Sequence, residues 1–271
     1  MRDYVILTDS ACDIHADVLA SWGVGYKSLT FKFTDEDKEY TNDEMDAAAF
    51  YAEMKKGRSA KTAAVNIDSF TEMFEAPLGE GKDVLYIGFS SGLSNTYNAA
   101  RLAAEGLREK YPEAKILTVE KKNAGATIEE AAKFCEELIP NTSIWFTVDD
   151  LVYLKRGGRI SPTVAFVGNA LGIKPILHMD EAGHLVNVSK VRGRRASILE
   201  MAKKYDELAL DKQGGTVFIS HGDCLADAEL LANTLKEKHG VTVKIITDVG
   251  PVIGAHSGPG TLALFFVGAH K

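Results

Sequence analysis

The sequence predicts an α/β protein in two domains: a wound, mostly parallel sheet over residues 1–158, with a small β-hairpin excursion at about 26–42, and a two-layer α+β domain over 159–271. Three observations carry that expectation. Short β-branched runs alternate with helical patterns as far as Val148, as a parallel sheet with crossover helices requires. Arg156-Gly157-Gly158-Arg159 and Ser161-Pro162 then break the composition. Beyond them, paired strand patterns mix with two helices.

Residues 4–7 form the first strand, followed by the polar turn Thr8-Asp9-Ser10. A helical pattern through Val18, Leu19 and Trp22 comes next, with Asp13 as its expected N-cap. Residues 26–33 alternate apolar and polar side chains. The acidic turn Thr34-Asp35-Glu36-Asp37 and Lys38-Glu39-Tyr40 behind them predict the hairpin. Helices follow near 44–55 and 69–74. Strands at 84–87 and 115–119 flank a helix over 96–109, and a helix at 127–138 leads into a strand at 144–148. The loops after Leu7 and Ile87 then lie at the carboxyl ends of strands, where such sheets bind ligands. In the second domain, 173–179 and 184–189 read as antiparallel strands joined at Asp180-Glu181-Ala182-Gly183. Helices are expected at 196–208 and 226–238, and strands at 216–220, 242–247 and 262–267.

Composition narrows the function. The formal net charge of -7 argues against a general nucleic-acid binder, which needs a basic face. The three cysteines (Cys12, Cys135, Cys224) lie far apart without CxxC spacing and read as core thiols of a reducing cytosol. The apolar segment at the N-terminus is too short for a signal peptide. No stretch reaches the roughly 18 apolar residues of a membrane helix, so a cytoplasmic protein without an integral membrane segment is expected. His178, His184 and His221 match no zinc spacing, and no metal is expected. Walker and GxGxxG loops are absent, which removes the usual nucleotide routes.

Two glycine-rich stretches remain. Val249-Gly250-Pro251-Val252-Ile253-Gly254-Ala255-His256-Ser257-Gly258-Pro259-Gly260-Thr261 holds four glycines and two prolines. It reads as a loop of fixed path that places one titratable side chain, His256. Upstream, Phe89-Ser90-Ser91-Gly92-Leu93-Ser94-Asn95-Thr96-Tyr97 has matching character. Gly88-Phe89-Ser90-Ser91-Gly92 fits the G-x-S-x-G of a hydrolase nucleophile elbow, with Asp223 or Asp248 and His256 completing a triad. The same loop also reads as a helix start whose hydroxyls and N–H groups attract an anion. Thr62, in Ser59-Ala60-Lys61-Thr62, reads as a turn residue in front of a helix. Lys190-Val191-Arg192-Gly193-Arg194-Arg195 is the one concentrated basic patch. It precedes a helix, where cations oppose the dipole, so it reads as a surface for an anionic partner or as a solvated face.

The Phe89–Tyr97 stretch resembles the S-S-x-L-S-G-T-Y segment of the DegV family. Val148-Asp149-Asp150-Leu151-Val152-Tyr153-Leu154-Lys155-Arg156-Gly157-Gly158-Arg159-Ile160-Ser161, Ile173-Lys174-Pro175-Ile176-Leu177 and Gly254–Thr261 are similar to its other signature stretches. The resemblance implies a fatty-acid-binding subunit of a bacterial fatty acid kinase, with the acyl chain buried between its domains. Catalysis would belong to a separate ATP-using kinase subunit that phosphorylates the bound carboxylate for phospholipid synthesis. It implies a long-chain fatty acid as ligand, no cofactor, and no catalytic residue in this chain. By position, Thr62, Ser94 and His256 would hold the carboxyl group, helped by the Asn95 N–H. Arg192 would serve phosphoryl transfer or docking to the kinase. Three departures stand out. Thr62-Ala63-Ala64-Val65-Asn66 keeps only the threonine of T-S-Q-P-S, Asn95 replaces a glycine, and Glu120-Lys121-Lys122-Asn123-Ala124-Gly125-Ala126 is shorter than the family's loop and helix there. A serine esterase using Ser90 and His256, and a binder of another small anionic metabolite, are the alternatives.

Overall fold

The computed structural model describes residues 2–119, 127–160 and 172–269. The short 120–126 segment and the Ser161-Pro162 break lie outside the described residues. In chain order come β1 (Tyr4–Asp9), α1 (Ala16–Ser21), β2 (Val24–Lys27), β3 (Thr30–Phe33), β4 (Tyr40–Thr41), α2 (Ala47–Lys55) and β5 (Ala60–Ala63). Next are α3 (Ile67–Gly79), β6 (Asp83–Ile87), α4 (Thr96–Lys110), β7 (Ile116–Val119), α5 (Ile128–Leu138), β8 (Thr142–Thr147) and α6 (Val152–Arg156). The chain continues with β9 (Ile173–Met179), β10 (Leu185–Arg192), α7 (Arg194–Leu208), β11 (Thr216–His221) and α8 (Leu225–His239). It ends with β12 (Thr242–Asp248), α9 (Pro251–Ser257) and β13 (Leu262–Val267). Met1–Thr30 with Thr62–Ile139 form one compact unit, and Phe31–Lys61 with Pro140–Lys271 form another.

The first unit is built on a parallel sheet in the order β2-β1-β6-β7. Inside it, β6 is buried on both faces, so it reads as an apolar run and not as alternation. Leu85 and Val119 pack against Ile128, Ala131, Ala132 and Cys135 of α5. On the other face of β6, Tyr86 meets Phe70 and Phe74 of α3 edge-on and tilted. α4 turns Ala99, Ala100, Ala103, Ala104 and Leu107 inward, at the spacing of one helical face. The alanines let it lie close to α3.

The second unit is built on a mixed sheet, β10-β9-β8-β13-β11-β12. The pairings make β8, β10, β11 and β12 run one way and β9 and β13 the other. α7 and α8 cover one face through Ile198, Met201, Tyr205, Leu231 and Leu235, which pack on Val217, Ile219, Leu264 and Phe266. The excursion spans Phe31–Lys61 rather than 26–42, and carries an aromatic core of its own, with Phe31 against Phe33, Tyr40 and Phe50 at centroid distances of 5.8, 5.4 and 5.1 Å.

Four expectations change. The 26–33 alternation is not one strand: Tyr26 lies in β2 of the parallel sheet, while β3 pairs in a separate small sheet, β4-β3-β5. The strand at 142–147 closes the strand–helix run in sequence, yet it pairs with β13 and β9. Asp13 does not cap α1. It sits at φ 51 behind a 3-10 turn that Asp9 caps through the Ala11 N–H, and short polar residues tolerate that left-handed conformation. The 249–261 stretch is no continuous loop, because Pro251–Ser257 is helical. Proline pre-sets φ at the first helical position, and Gly258 at φ 80 stops the helix.

Candidate functional site

In the first unit the chain leaves β1 toward β2 on one side and β6 toward β7 on the other. The carboxyl ends of β1 and β6 therefore flank a topological switch point, the usual ligand crevice of such sheets. Thr8 donates its hydroxyl to the Ile87 carbonyl across it at 2.8 Å. Asp9, at the same edge, is buried and accepts from the Tyr86 hydroxyl and the Ala11 N–H. Burial raises its pKa, and those two donors oppose the rise.

The 88–96 loop leaves β6 here and feeds α4. Ser94 Oγ lies 2.9 Å from Thr96 Oγ1 and accepts from the Thr96 N–H at 3.3 Å. Asn95 is exposed with φ -76 and ψ -2, a right-handed conformation that needs no glycine. Ser90 is 8% exposed, and its Oγ accepts from the Gly92 N–H at 3.2 Å. Its φ is not positive, and α4 begins six positions later, at Thr96. The strained elbow of an attacking serine is therefore not formed, and Ser90 acts as a turn cap. Thr62 lies half-buried in β5, and the residue that caps α3 is Asn66, which accepts from the Ser69 N–H. The reading of Thr62 as a turn residue before the helix is thus replaced.

In the second unit, the carboxyl ends of β8, β10, β11 and β12 point the same way, and they carry Arg159, Arg192 and His256 to one end of the sheet. His256 occupies the last turn of α9, against the backbone of Gly157: a Cβ at 157 would lie 2.3 Å from its Nδ1. Burial, and secondarily the Arg159 charge, push its pKa down from 6.5 to about 4. The imidazole is neutral at neutral pH. Arg159 donates to the Gly157 carbonyl at 2.5 Å, and burial lowers its own pKa. In the sequence Arg159 reads as part of the composition break at Arg156-Gly157-Gly158-Arg159. Its signal was position within R-G-G-R-I-S, and its partnership with His256 comes from the fold.

The basic patch divides. Arg194 donates to Asp227 at 2.8 Å and to Cys224 Sγ at 3.3 Å, and lies 3.7 Å from Asp149. It is a structural link. Lys190, Arg192 and Arg195 are exposed, with Arg192 closing the edge strand β10 opposite Ile173. Thr62, Ser94 and Asn95 thus belong to the first unit, and His256 and Arg192 to the second. Among the described residues no group of three or more His, Cys, Asp or Glu could share a metal ion, and no helix is long and apolar enough to cross a membrane.

The chain is thus a two-unit α/β protein, with hydroxyls beside a helix start in the first unit and a neutral imidazole with a guanidinium in the second. The chain belongs to the DegV family, whose model, described as one of uncharacterised proteins, matches residues 3–269. A DegV domain-containing protein of Clostridium perfringens is 38% identical over 291 residues, covering 100% of this chain and 99% of the relative. Among solved structures, a DegV lipid binding protein from Thermotoga maritima is 28% identical, with a TM-score of 0.83 over 99% of each chain. DegV from Bacillus subtilis, a fatty acid binding protein, is 27% identical, with a TM-score of 0.82 over 100% of each chain. The fold is shared with the Streptococcus pneumoniae fatty acid kinase B3 protein, solved with linoleic acid, at 18% identity and a TM-score of 0.81 over 98% of this chain and 99% of that one.

Proposed function

We propose that this protein binds a long-chain fatty acid in the cytoplasm and presents its carboxyl group to a separate ATP-using kinase subunit, which forms the acyl phosphate. The observation that carries the reading is the neutral, half-buried His256 beside Arg159. An arriving carboxylate meets a hydrogen-bonding imidazole backed by a positive charge. Thr62, Ser94, the Asn95 N–H and His256 hold the acid. They offset the desolvation of its charge, and most of the binding energy comes from the tail. A chain of about 16 carbons at roughly 0.8 kcal/mol per buried CH₂ gives on the order of 12 kcal/mol gross, which ordering costs reduce. Fatty-acid binding by the Bacillus subtilis relative supports the ligand class.

Arg192, exposed at the sheet end that carries His256, serves phosphoryl transfer or docking of the kinase. Mass spectrometry of the denatured protein is the first test. A stoichiometric fatty acid, or uptake of added oleate, is expected, and neither being found sinks the reading. Thr62→Ala combined with Ser94→Ala weakens uptake while the fold persists.

A further inference from the structure

The helix that carries His256 has no cap of its own. Gly250 at its N-cap has no side chain, and Pro251 at the first helical position has no N–H. The first N–H in need of an acceptor is that of Val252, and Asn42 Oδ1 accepts it at 3.1 Å, from 210 residues earlier in the chain. One residue before the N-cap, Tyr51 donates its hydroxyl to the Val249 carbonyl at 2.9 Å. Tyr51 is 0% exposed, and two glycines make room for it. A Cβ at Gly254 would lie 2.5 Å from Tyr51 Oη and 3.2 Å from Phe50 Cε1, and one at Gly222 would lie 2.9 Å from the same hydroxyl. Lys55, on the last turn of α2, pairs with Asp223 in the loop after β11.

Asn42, Tyr51 and Lys55 all belong to the excursion, which groups with the second unit and is stiffened by its own aromatic core. Its hold on α9 is therefore rigid at two points, the start of the helix and the turn beneath Gly254. His256 lies two residues beyond Gly254. A helix displaced at either point lifts the imidazole from its seat on Gly157, since their separation leaves no room for a methyl group.

We infer that Asn42 and Tyr51 are positioning residues for His256, with the excursion acting as the buttress that sets where the imidazole stands. The effect on ligand affinity rests on the function proposed above, whereas the effect on the imidazole does not. The test follows the His256 ring resonances through a pH titration of the ligand-free protein, in wild type, Tyr51→Phe and Asn42→Ala. Among the described residues Arg159 is the charged group that shifts the ring's titration, and it is untouched in each variant. Loosening α9 lets solvent reach the ring, so the midpoint rises toward its ordinary value in both variants. Oleate affinity falls roughly 5- to 10-fold, the loss expected of one weakened hydrogen bond. In a His256→Ala background, Tyr51→Phe then changes oleate affinity less than about twofold, because the ring it positions is gone.

Unchanged His256 resonances and midpoint in both variants overturn the inference. So does an equal loss of affinity with and without His256, which is the mark of a merely structural tyrosine. If wild type takes up no oleate, the functional reading fails and the resonances alone decide the positioning role. Should Tyr51→Phe not fold, Asn42→Ala carries the same readouts from a half-buried site.

Discussion

Two adjacent glycines provide opposite tests of how His256 is held. Gly157 ends α6 in right-handed backbone, φ -72 and ψ -11, which any residue adopts. A Cβ there would stand 2.3 Å from His256 Nδ1 and 3.2 Å from its Cγ, with the Tyr153 carbonyl next at 3.3 Å. Gly157→Ala therefore strains the imidazole and little else, and the ring must retreat by roughly 1 Å to reach ordinary contact. Overpacking of this kind costs on the order of 1–3 kcal/mol, offset by up to about 1 kcal/mol from the stiffer unfolded chain. Losing the imidazole's hydrogen bond to a carboxylate costs about 1.5–3 kcal/mol, or a roughly 10- to 150-fold weaker Kd. Gly158 is the reverse case. Its φ is +72 and nothing lies within 4 Å of a Cβ there. Gly158→Ala costs about 1–2 kcal/mol of backbone strain and leaves binding alone. Competition between oleate and a fluorescent fatty acid, with urea unfolding beside it, reads both effects. Wild-type affinity in Gly157→Ala, or the larger affinity loss in Gly158→Ala, refutes this account of the site.

Three further outcomes are expected. Because burial, then Arg159, hold the His256 pKa near 4 against 6.5 for a free ring, the unfolded chain takes up a proton that the folded one refuses. Stability is full above about pH 6.5 and declines as pH falls toward 4, by at most about 3 kcal/mol. Urea midpoints in His256→Gln lose that part of the decline, and a decline equal to wild type would exonerate the histidine. Tyr86→Phe deprives the buried Asp9 carboxyl of a donor and lowers stability by about 1–3 kcal/mol. Adding Asp9→Asn recovers part of it, which thermal unfolding of the single and double variants checks. A fluorophosphonate probe leaves Ser90 unlabelled, since its Oγ is engaged with the Gly92 N–H; stoichiometric labelling would restore the hydrolase reading.

Elements with strong periodicity were legible in the sequence. β9 and β13 fall at 173–179 and 262–267 as read, and α4, α7 and α8 agree within a residue or two. What sequence pattern does not carry is partnership. Nothing in Thr142–Thr147 distinguishes a strand that continues a parallel sheet from one that pairs antiparallel with β13 and β9, because both environments select the same buried apolar run. The run at 26–33 failed for a related reason. Its alternation is real, but Ser28 and Leu29 separate two strands that serve different sheets.

The site shows the same division. His256 stands out in the sequence because it is the one titratable side chain in a glycine-rich stretch, and Ser94 because hydroxyls crowd before a helix. The reason for the glycines was not legible. Dense glycine signals conformational freedom when only the sequence is in hand, so α9 was read as loop. Yet Gly254 lies inside the helix, and what it supplies is volume for the Tyr51 ring, which reaches the Val249 carbonyl from 198 residues earlier in the chain. Gly157 likewise supplies the imidazole's seat. A residue type chosen for the space it leaves empty carries no trace of what fills that space. The position of His256 is thus a joint property of α9, α6 and the excursion, and moving the imidazole requires altering Asn42 and Tyr51 together with the helix they hold.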